Sequence, residues 1–503
     1  MQSLYQAVLL SWSIPPAASF ALGLTALVYL RGWFLLRRAG LPFLPPWRAI
    51  SFLAGLLSLW IALASPLDTF SGFVLTAHMV QHMILMMVAP PLILLGAPLI
   101  PLVRGLPIFA AREFAGPFLN WRVANRVGNA LINPIVAMLL MGGAMFAWHT
   151  PRLYELALAS SSWHEVEHAC FFLSSLLFWW PVIQPWPSRA QWPRWAMVPY
   201  LLVADLQNTA LSAILVFSDR MLYPSYATEP RLFGFSALHD QAACGAIMWV
   251  LGSLAYAVPA IAIAIQCSQR RPLPAEYLPA RRREAAPLDT LLSIPQRFSL
   301  VNRFLRPRLS ARTIEAASFL ILFVIAGLSF AGLVSRSSHE DDDDDQVLRL
   351  QQQSGPFAVA VFAQPGDLEA GPSTFAVLVQ DRDTQEILLD ATVDVSARDT
   401  SDQQITPPAR ASAAESENKL LQSAELNFPT AADWTLQVAV RRDAASANFS
   451  LPLHVVNPKS GVAFPWSYFI LLAFLAMLLI AYIRRHRSAQ PSPVEQPVST
   501  LHS

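Results

Sequence analysis

Charge is scarce in this chain. Only 14% of its 503 residues are Asp, Glu, Lys or Arg, against 54% hydrophobic residues. That balance excludes an ordinary soluble enzyme and calls for several membrane spans plus a polar part. A net charge of +1 offers nothing to a nucleic-acid backbone. Cysteine is nearly absent: Cys170, Cys244 and Cys267 have no CxxC or CxxxC spacing, which excludes a disulfide framework and a thiol redox motif. No positive side chain precedes Arg31, so the N-terminus lacks the basic region of a cleavable signal peptide and none is expected.

What the chain does have is long apolar runs. A spanning helix needs about 20 mostly apolar residues. Nine stretches meet that length: 14–36, 49–66, 73–103, 131–149, 165–184, 196–216, 237–266, 316–334 and 465–483. The third is over-long and interrupted by Pro90-Pro91, so it is expected to bend or end in a re-entrant piece, and Pro259 is expected to tilt or kink the seventh. Arginines alternate between loops. Arg37, Arg38 and Arg48, then Arg104, Arg112, Arg122 and Arg126, then Arg189 and Arg194 fall on one side. The 267–315 connection, with ten arginines, and the tail Arg484-Arg485-His486-Arg487 fall there too. The positive-inside rule makes these loops cytoplasmic, the N-terminus external and the C-terminus internal.

Residues 335–463 differ in kind. After an acidic run, "HEDDDDDQ", which reads as a solvated linker, come alternating segments such as "FAVAVFAQPGDLEAGPSTFAVLVQD" and "WTLQVAVRRD" between Pro, Gly and Asp turns. Period-two alternation predicts a small Ig-like β-sandwich. The expected fold class is therefore an all-α polytopic membrane protein of about nine transmembrane helices with an inserted extracytoplasmic β-sandwich. Its parts are a seven-helix membrane domain (1–266), a basic cytoplasmic loop (267–315), a helix (316–334), the β-domain with its linker (335–463) and a last helix with a cytoplasmic tail (464–503).

On this topology six of the ten histidines lie in the outer leaflet or at its rim: His78 and His82, His149, His164 and His168, and His239. Imidazoles buried in hydrocarbon are costly and face a bundle interior when they occur. His78/His82 and His164/His168 are i, i+4 pairs, each on one helical face, as metal ligation needs. Neutral imidazole suits zinc, copper and iron, and thioether or thiolate sulfur shifts the choice toward copper. Met79, Met83, Met86 and Met87 surround the first pair, Met145 and Met248 lie on neighbouring spans, and Cys170 and Cys244 share the depth of the histidines. Copper is the metal this combination favours. Asp205, with Gln207 and Asn208 near mid-membrane, completes a site, relays protons or lines a polar packing seam. Trp148, Trp163 and Trp249 read as interface anchors.

Two alternatives stay open. "HEVEH" (164–168) matches the HExxH pattern of zinc proteases, with Glu165 as general base, and a His78/His168 pair could hold haem axially.

The segments "HMVQHMILMMVAPPLILLGAP" (78–98), "WHTPRLYELAL" (148–158), "WHEVEH" with the span ending "FWWPVI", and "HDQAACGAIMW" (239–249) occur in this order. Together they resemble the CtaG family of cytochrome c oxidase assembly factors over about residues 10–266. The resemblance implies a bacterial plasma-membrane assembly factor, not a turnover enzyme, acting with an oxidase subunit and a soluble copper chaperone. It implicates His78, His82, His149, His168, Asp240 and Gln241. With the depth argument, the candidate ligands are His78, His82, His149, His164, His168, His239 and Asp240, with Met83, Met86, Cys170, Asp205, Gln241 and Cys244 as auxiliaries. The β-region is loosely similar to YtkA/FixH-like sandwiches. It lacks Met and Cys between 341 and 463, and His454 is its only histidine, so it reads as a docking module.

The topology is testable directly. A reporter fused after Ser337 is expected to work only in an export-dependent form, and one fused after Arg283 only in a cytoplasmic form. The reverse pattern would remove the shared depth of the histidines.

Overall fold

The computed structural model describes residues 2–39, 44–107, 122–188, 190–232, 234–269, 347–364, 366, 368–400 and 405–457. Within them six helices are long and apolar enough to cross a membrane, with Pro134–Trp148 as a shorter apolar helix. The expected spans at 316–334 and 465–483 lie outside the described residues, so the count of nine is not reached here.

A short helix, α1 (Gln2–Leu10), precedes α2 (Pro16–Arg38) and α3 (Pro46–Ala64), both begun by prolines whose missing N–H is harmless in a first turn. A one-and-a-half-turn helix, α4 (Pro66–Ser71), leads into the histidine-bearing span. That span is composite: α5 (Leu75–Met83), a π-helical turn (Ile84–Val88) and α6 (Ala89–Leu95). The π turn has a chemical cause. Pro90 and Pro91 have no N–H, so the Met86 carbonyl has no donor four or five residues ahead. The Trp179 indole N–H from another helix donates to that carbonyl at 3.0 Å instead. The expected run to residue 103 stops at Gly96, because Ala97 takes a left-handed backbone (φ 46°) before Pro98, and α7 (Leu99–Gly105) turns back. It packs against α2 where Gly32 and Gly105 have no side chain to separate the backbones.

After α8 (Arg122–Leu131) come α9 (Pro134–Trp148), α10 (Pro151–Leu158) and α11 (Ser161–Ile183). The last begins four residues before its expected start, which places His164 within the helix. Next come α12 (Met197–Phe217), α13 (Ser225–Thr228) and α14 (Ala237–Gln269), which runs through Pro259. A continuous apolar core joins the long helices.

Residues 347–457 form two four-stranded antiparallel sheets, ordered β1-β2-β3-β6 and β5-β4-β7-β8. The strands are β1 (Val347–Ser354), β2 (Phe357–Gln364), β3 (Gly371–Asp381), β4 (Thr392–Asp399), β5 (Ala409–Arg410), β6 (Gln422–Phe428), β7 (Asp433–Arg442) and β8 (Ala445–His454). Val359, Val361, Phe375 and Val377 meet Val393, Val395, Trp434 and Val438 in the sandwich core.

Strands β2 and β3 break the alternation expected of a two-sheet sandwich with wet outer faces. Their alternate residues Ala360, Phe362, Ala376 and Leu378 are also buried. The reason is a second interface: these side chains cluster with Ala7, Phe70 and Leu232 of the helical part, flanked by Phe73, Val74 and Ala77. Phe73 meets Phe362 edge-on, with centroids 5.5 Å apart. The Gln380 amide donates to the Arg231 carbonyl at 2.7 Å, and the Lys419 N–H to the Ser11 hydroxyl at 2.9 Å. A sheet buried on both faces reads as a continuous apolar run, as "FAVAVFA" does. The β-domain thus sits on the end of the bundle where α5 begins.

Cysteines placed at Phe73 and Phe362 are expected to join with a short bifunctional thiol reagent in the intact membrane. A Leu378→Asp change alongside should abolish that product, since Leu378 is buried in the same cluster and an unpaired charge there costs several kcal/mol. Absence of the product in the parent double-cysteine protein would contradict this seating.

Candidate metal centre

The site is built from α5 and α11. On α5, His78 and His82 are one turn apart, and both are buried. On α11, His164 and His168 repeat the spacing, with Glu167 on the same face. The two faces meet. One ligand atom from each of His78, His82, His164 and His168 lies within 4.8 Å of the others.

The start of α5 is held from α14. The Asp240 carboxylate accepts the N–H groups of Leu75 at 2.7 Å and Thr76 at 3.1 Å, first-turn donors with no helical partner. The Thr76 hydroxyl donates to the same carboxylate at 2.5 Å. Asp240 therefore fixes the helix that carries the histidines, and does not join their group. Gln241 does similar work: its amide oxygen accepts the Leu222 N–H at 2.8 Å, and its amide donates to the Arg220 carbonyl at 3.1 Å.

Proton positions follow from the partners. The Tyr226 hydroxyl donates to the Ser71 carbonyl at 2.6 Å, which can only accept. Burial holds that hydroxyl well above the usual tyrosine range, so it stays protonated. Its 3.2 Å contact with His78 Nδ1 is then an imidazole N–H donating to the phenol oxygen. His78 Nε2 carries a lone pair, facing His82 Nε2 at 2.8 Å. Tyr226 is itself placed by Glu155, whose carboxylate accepts the Ser225 N–H at 3.2 Å and the Ser225 hydroxyl.

Several buried polar atoms have no hydrogen-bond partner: His82 Nδ1, His164 Nε2, His168 Nε2 and both Glu167 carboxylate oxygens. Each such atom costs about 1–3 kcal/mol when left unpaired. Around a tetrahedral ion, nitrogens at about 2.0–2.1 Å stand roughly 3.3 Å apart. The ligand atoms of the four imidazoles lie within 4.8 Å of one another, so their chemistry and placement fit a transition-metal ion.

The other expected ligands are placed apart. His149 is buried just beyond: its Nδ1–H donates to the Met145 carbonyl at 2.7 Å, its Nε2 has no partner, and its ring is 6.0 Å from Phe171. Phe171 in turn packs on His82 at 4.7 Å. His239 is exposed. Met83, Met86 and Cys244 are buried in the helical core, and Cys170 is half-buried with a free thiol. Asp205 accepts the Ser253 hydroxyl at 2.7 Å, pairing α12 with α14.

Sequence reasoning passed over Glu167, Tyr226, Gln81 and Asp68. Glu167 had a readable sign, a carboxylate on the His164/His168 face of an apolar helix. The Gln81 amide donates to Asp68 at 2.7 Å and to the Ala62 carbonyl at 2.9 Å, locking α5 to α3 and α4. Asp68 lies between the spans, and burial pushes its pKa up to about 7, with Gln81 opposing and Glu417 of the β-domain adding to the rise.

Comparison with known proteins bears on the helical part. About half of the chain aligns with an uncharacterized protein of Mycobacterium leprae (24% identity; 50% of this chain, 39% of that protein). It aligns similarly with one of Mycobacterium bovis (25% identity; 52% and 40%). The aligned region spans about two fifths of the length of these curated relatives. A crystal structure of a DUF4426 family protein from Pseudomonas aeruginosa overlaps 22% of this chain at 14% identity, with a TM-score of 0.18. The family model that matches is that of the cytochrome c oxidase caa3 assembly factor, over residues 27–270. Residues 27–270, the helical part that carries all four converging histidines, belong to the Caa3_CtaG family of cytochrome c oxidase assembly factors.

Proposed function

We propose that this chain binds copper at His78, His82, His164 and His168 and delivers it to a subunit of cytochrome c oxidase. The observation that carries the reading is the convergence of four imidazoles from two helices within 4.8 Å, inside an oxidase-assembly domain. The process comes from the family, and the cargo from the donor atoms. Imidazole nitrogens suit copper, zinc and iron, and copper is the ion proposed among these. A soluble copper chaperone is the proposed source of the ion. His149, with its free Nε2 beyond Phe171, is the proposed next donor on the path, and Met83 and Met86 lie on the span that carries His78 and His82.

Two features favour this over the alternatives. For haem held by His78 and His168, His82 and His164 would occupy the space the macrocycle needs, since all four donors lie within 4.8 Å. For an HExxH protease, a catalytic ion keeps an open position for water, whereas four nitrogens fill a tetrahedral shell. The reading is therefore of an assembly factor that turns over no substrate.

By the positive-inside rule, the arginine-rich loops support a reading in which the site, and the β-domain seated over it, face the outer side of a bacterial plasma membrane. His78 and His82 are closed to solvent, at 0% and 1% exposure. Ala77, next to His78, packs against the β-domain cluster. Transfer to a client then requires this contact to loosen, which makes the β-domain the module that meets the client or the chaperone.

Removing either His78 or His82 by alanine substitution is expected to lose nearly all copper from the purified protein, and removing both should add little, because ligands of one ion are non-additive. Cells with either variant should hold oxidase apoprotein in the membrane that is short of copper and less affected in haem. Added copper should restore part of it by mass action. Normal oxidase copper in both single variants would overturn the proposal. Glu165→Gln, at normal protein level, should retain most oxidase assembly. A complete loss would restore the protease reading, since a general base contributes about 10²–10⁴-fold in rate.

A further inference from the structure

We propose that the Glu167 carboxylate, standing beside the four nitrogens, is the anionic charge of the centre and makes it selective for a divalent ion over a monovalent one. This rests on the four-histidine centre proposed above and deepens it by naming the charge class of the cargo.

Glu167 is fully buried. Its Oε2 lies 3.7 Å from His78 Nε2 and 3.9 Å from His82 Nε2, beyond hydrogen-bond length, and neither carboxylate oxygen has a hydrogen-bond partner. Among the described residues its ion-pair partners are those two imidazoles. A carboxylate serving to orient a histidine would accept an N–H at about 2.7–2.9 Å. Glu167 does not. It stands at the edge of the space that the four nitrogens surround, three residues after His164 and one before His168.

Charge explains what it does there. Four imidazoles are neutral donors, so a dication held by them alone keeps both charges in a low-dielectric interior. One carboxylate halves that uncompensated charge. At the same distance the carboxylate attracts a dication twice as strongly as a monovalent ion, so its charge favours the divalent state. No cysteine joins the group among the described residues, so no thiolate is available to suit the monovalent case. The cargo class that fits is a divalent borderline ion such as Cu(II) or Zn(II).

The test uses the purified full chain with Zn²⁺, Co²⁺ and Ag⁺ as separate probes. Glu167→Gln keeps the shape and removes the charge, and is expected to weaken Zn²⁺ and Co²⁺ binding by at least about tenfold while leaving Ag⁺ within about threefold. Glu167→Asp, which keeps the charge on a shorter stem, should recover part of the divalent affinity. Equal weakening of all three ions, or unchanged divalent affinity, would overturn the role of Glu167 alone. Failure of the unaltered chain to bind any of the three would overturn the four-histidine centre as well. Loss in His78→Ala with no change in Glu167→Gln would keep the centre and remove Glu167 from it.

Discussion

Four imidazoles and one carboxylate meet between α5 and α11, and five of their buried polar atoms have no hydrogen-bond partner. Nitrogen lone pairs and carboxylate oxygens are stable in such a place only when something accepts them, and hydrocarbon does not. Much of the surrounding architecture serves to keep this arrangement in place. Asp240 secures the first turn of α5, Gln81 ties its middle to α3 and α4, and Trp179 repairs the carbonyl that the prolines strand. Tyr226, itself anchored through Ser71 and Glu155, decides which nitrogen of His78 is free. An orphaned set of atoms supported this thoroughly is what the proposed ion site requires.

The paired histidines were legible in the sequence because i, i+4 spacing has one geometric meaning on a helix. That the two pairs face each other was not, since periodicity gives the face of a helix and not its partner. The depth argument could group His149 and His239 with them, yet depth alone cannot separate a buried ring from an exposed one. Asp240 looked like a ligand because it sits in a motif beside a histidine, while its carboxylate is spent on two backbone N–H groups. The β-sandwich was legible from alternation, and its docking face was written in the departure from alternation in β2 and β3. The break at Ala97 needed the backbone itself, because only the left-handed turn there shows where the third span ends.

The β-domain changes the meaning of the site. A cluster at the end of a bundle would ordinarily be open to water. Here Phe73, Val74 and Ala77, just ahead of His78, are covered by the sheet that carries Phe362 and Leu378. A burial of several apolar side chains, each worth about 1.5–3 kcal/mol when complete, holds that cover without making it permanent. On the proposed reading, an ion kept this way is protected from competing ligands and released when the cover is exchanged for a client. Asp68 and Glu417 lie near the same seam, where the Glu417 charge adds to the rise in the Asp68 pKa that burial begins.

The central claim is that four imidazole nitrogens hold one ion. X-ray absorption at the copper edge of the copper-loaded full chain tests it most directly. The account predicts a first shell of nitrogen and oxygen near about 2.0 Å with the outer-shell pattern of imidazole rings, lost when His78 and His168 are replaced. A shell dominated by sulfur at about 2.3 Å, or a spectrum unchanged by those replacements, would contradict it.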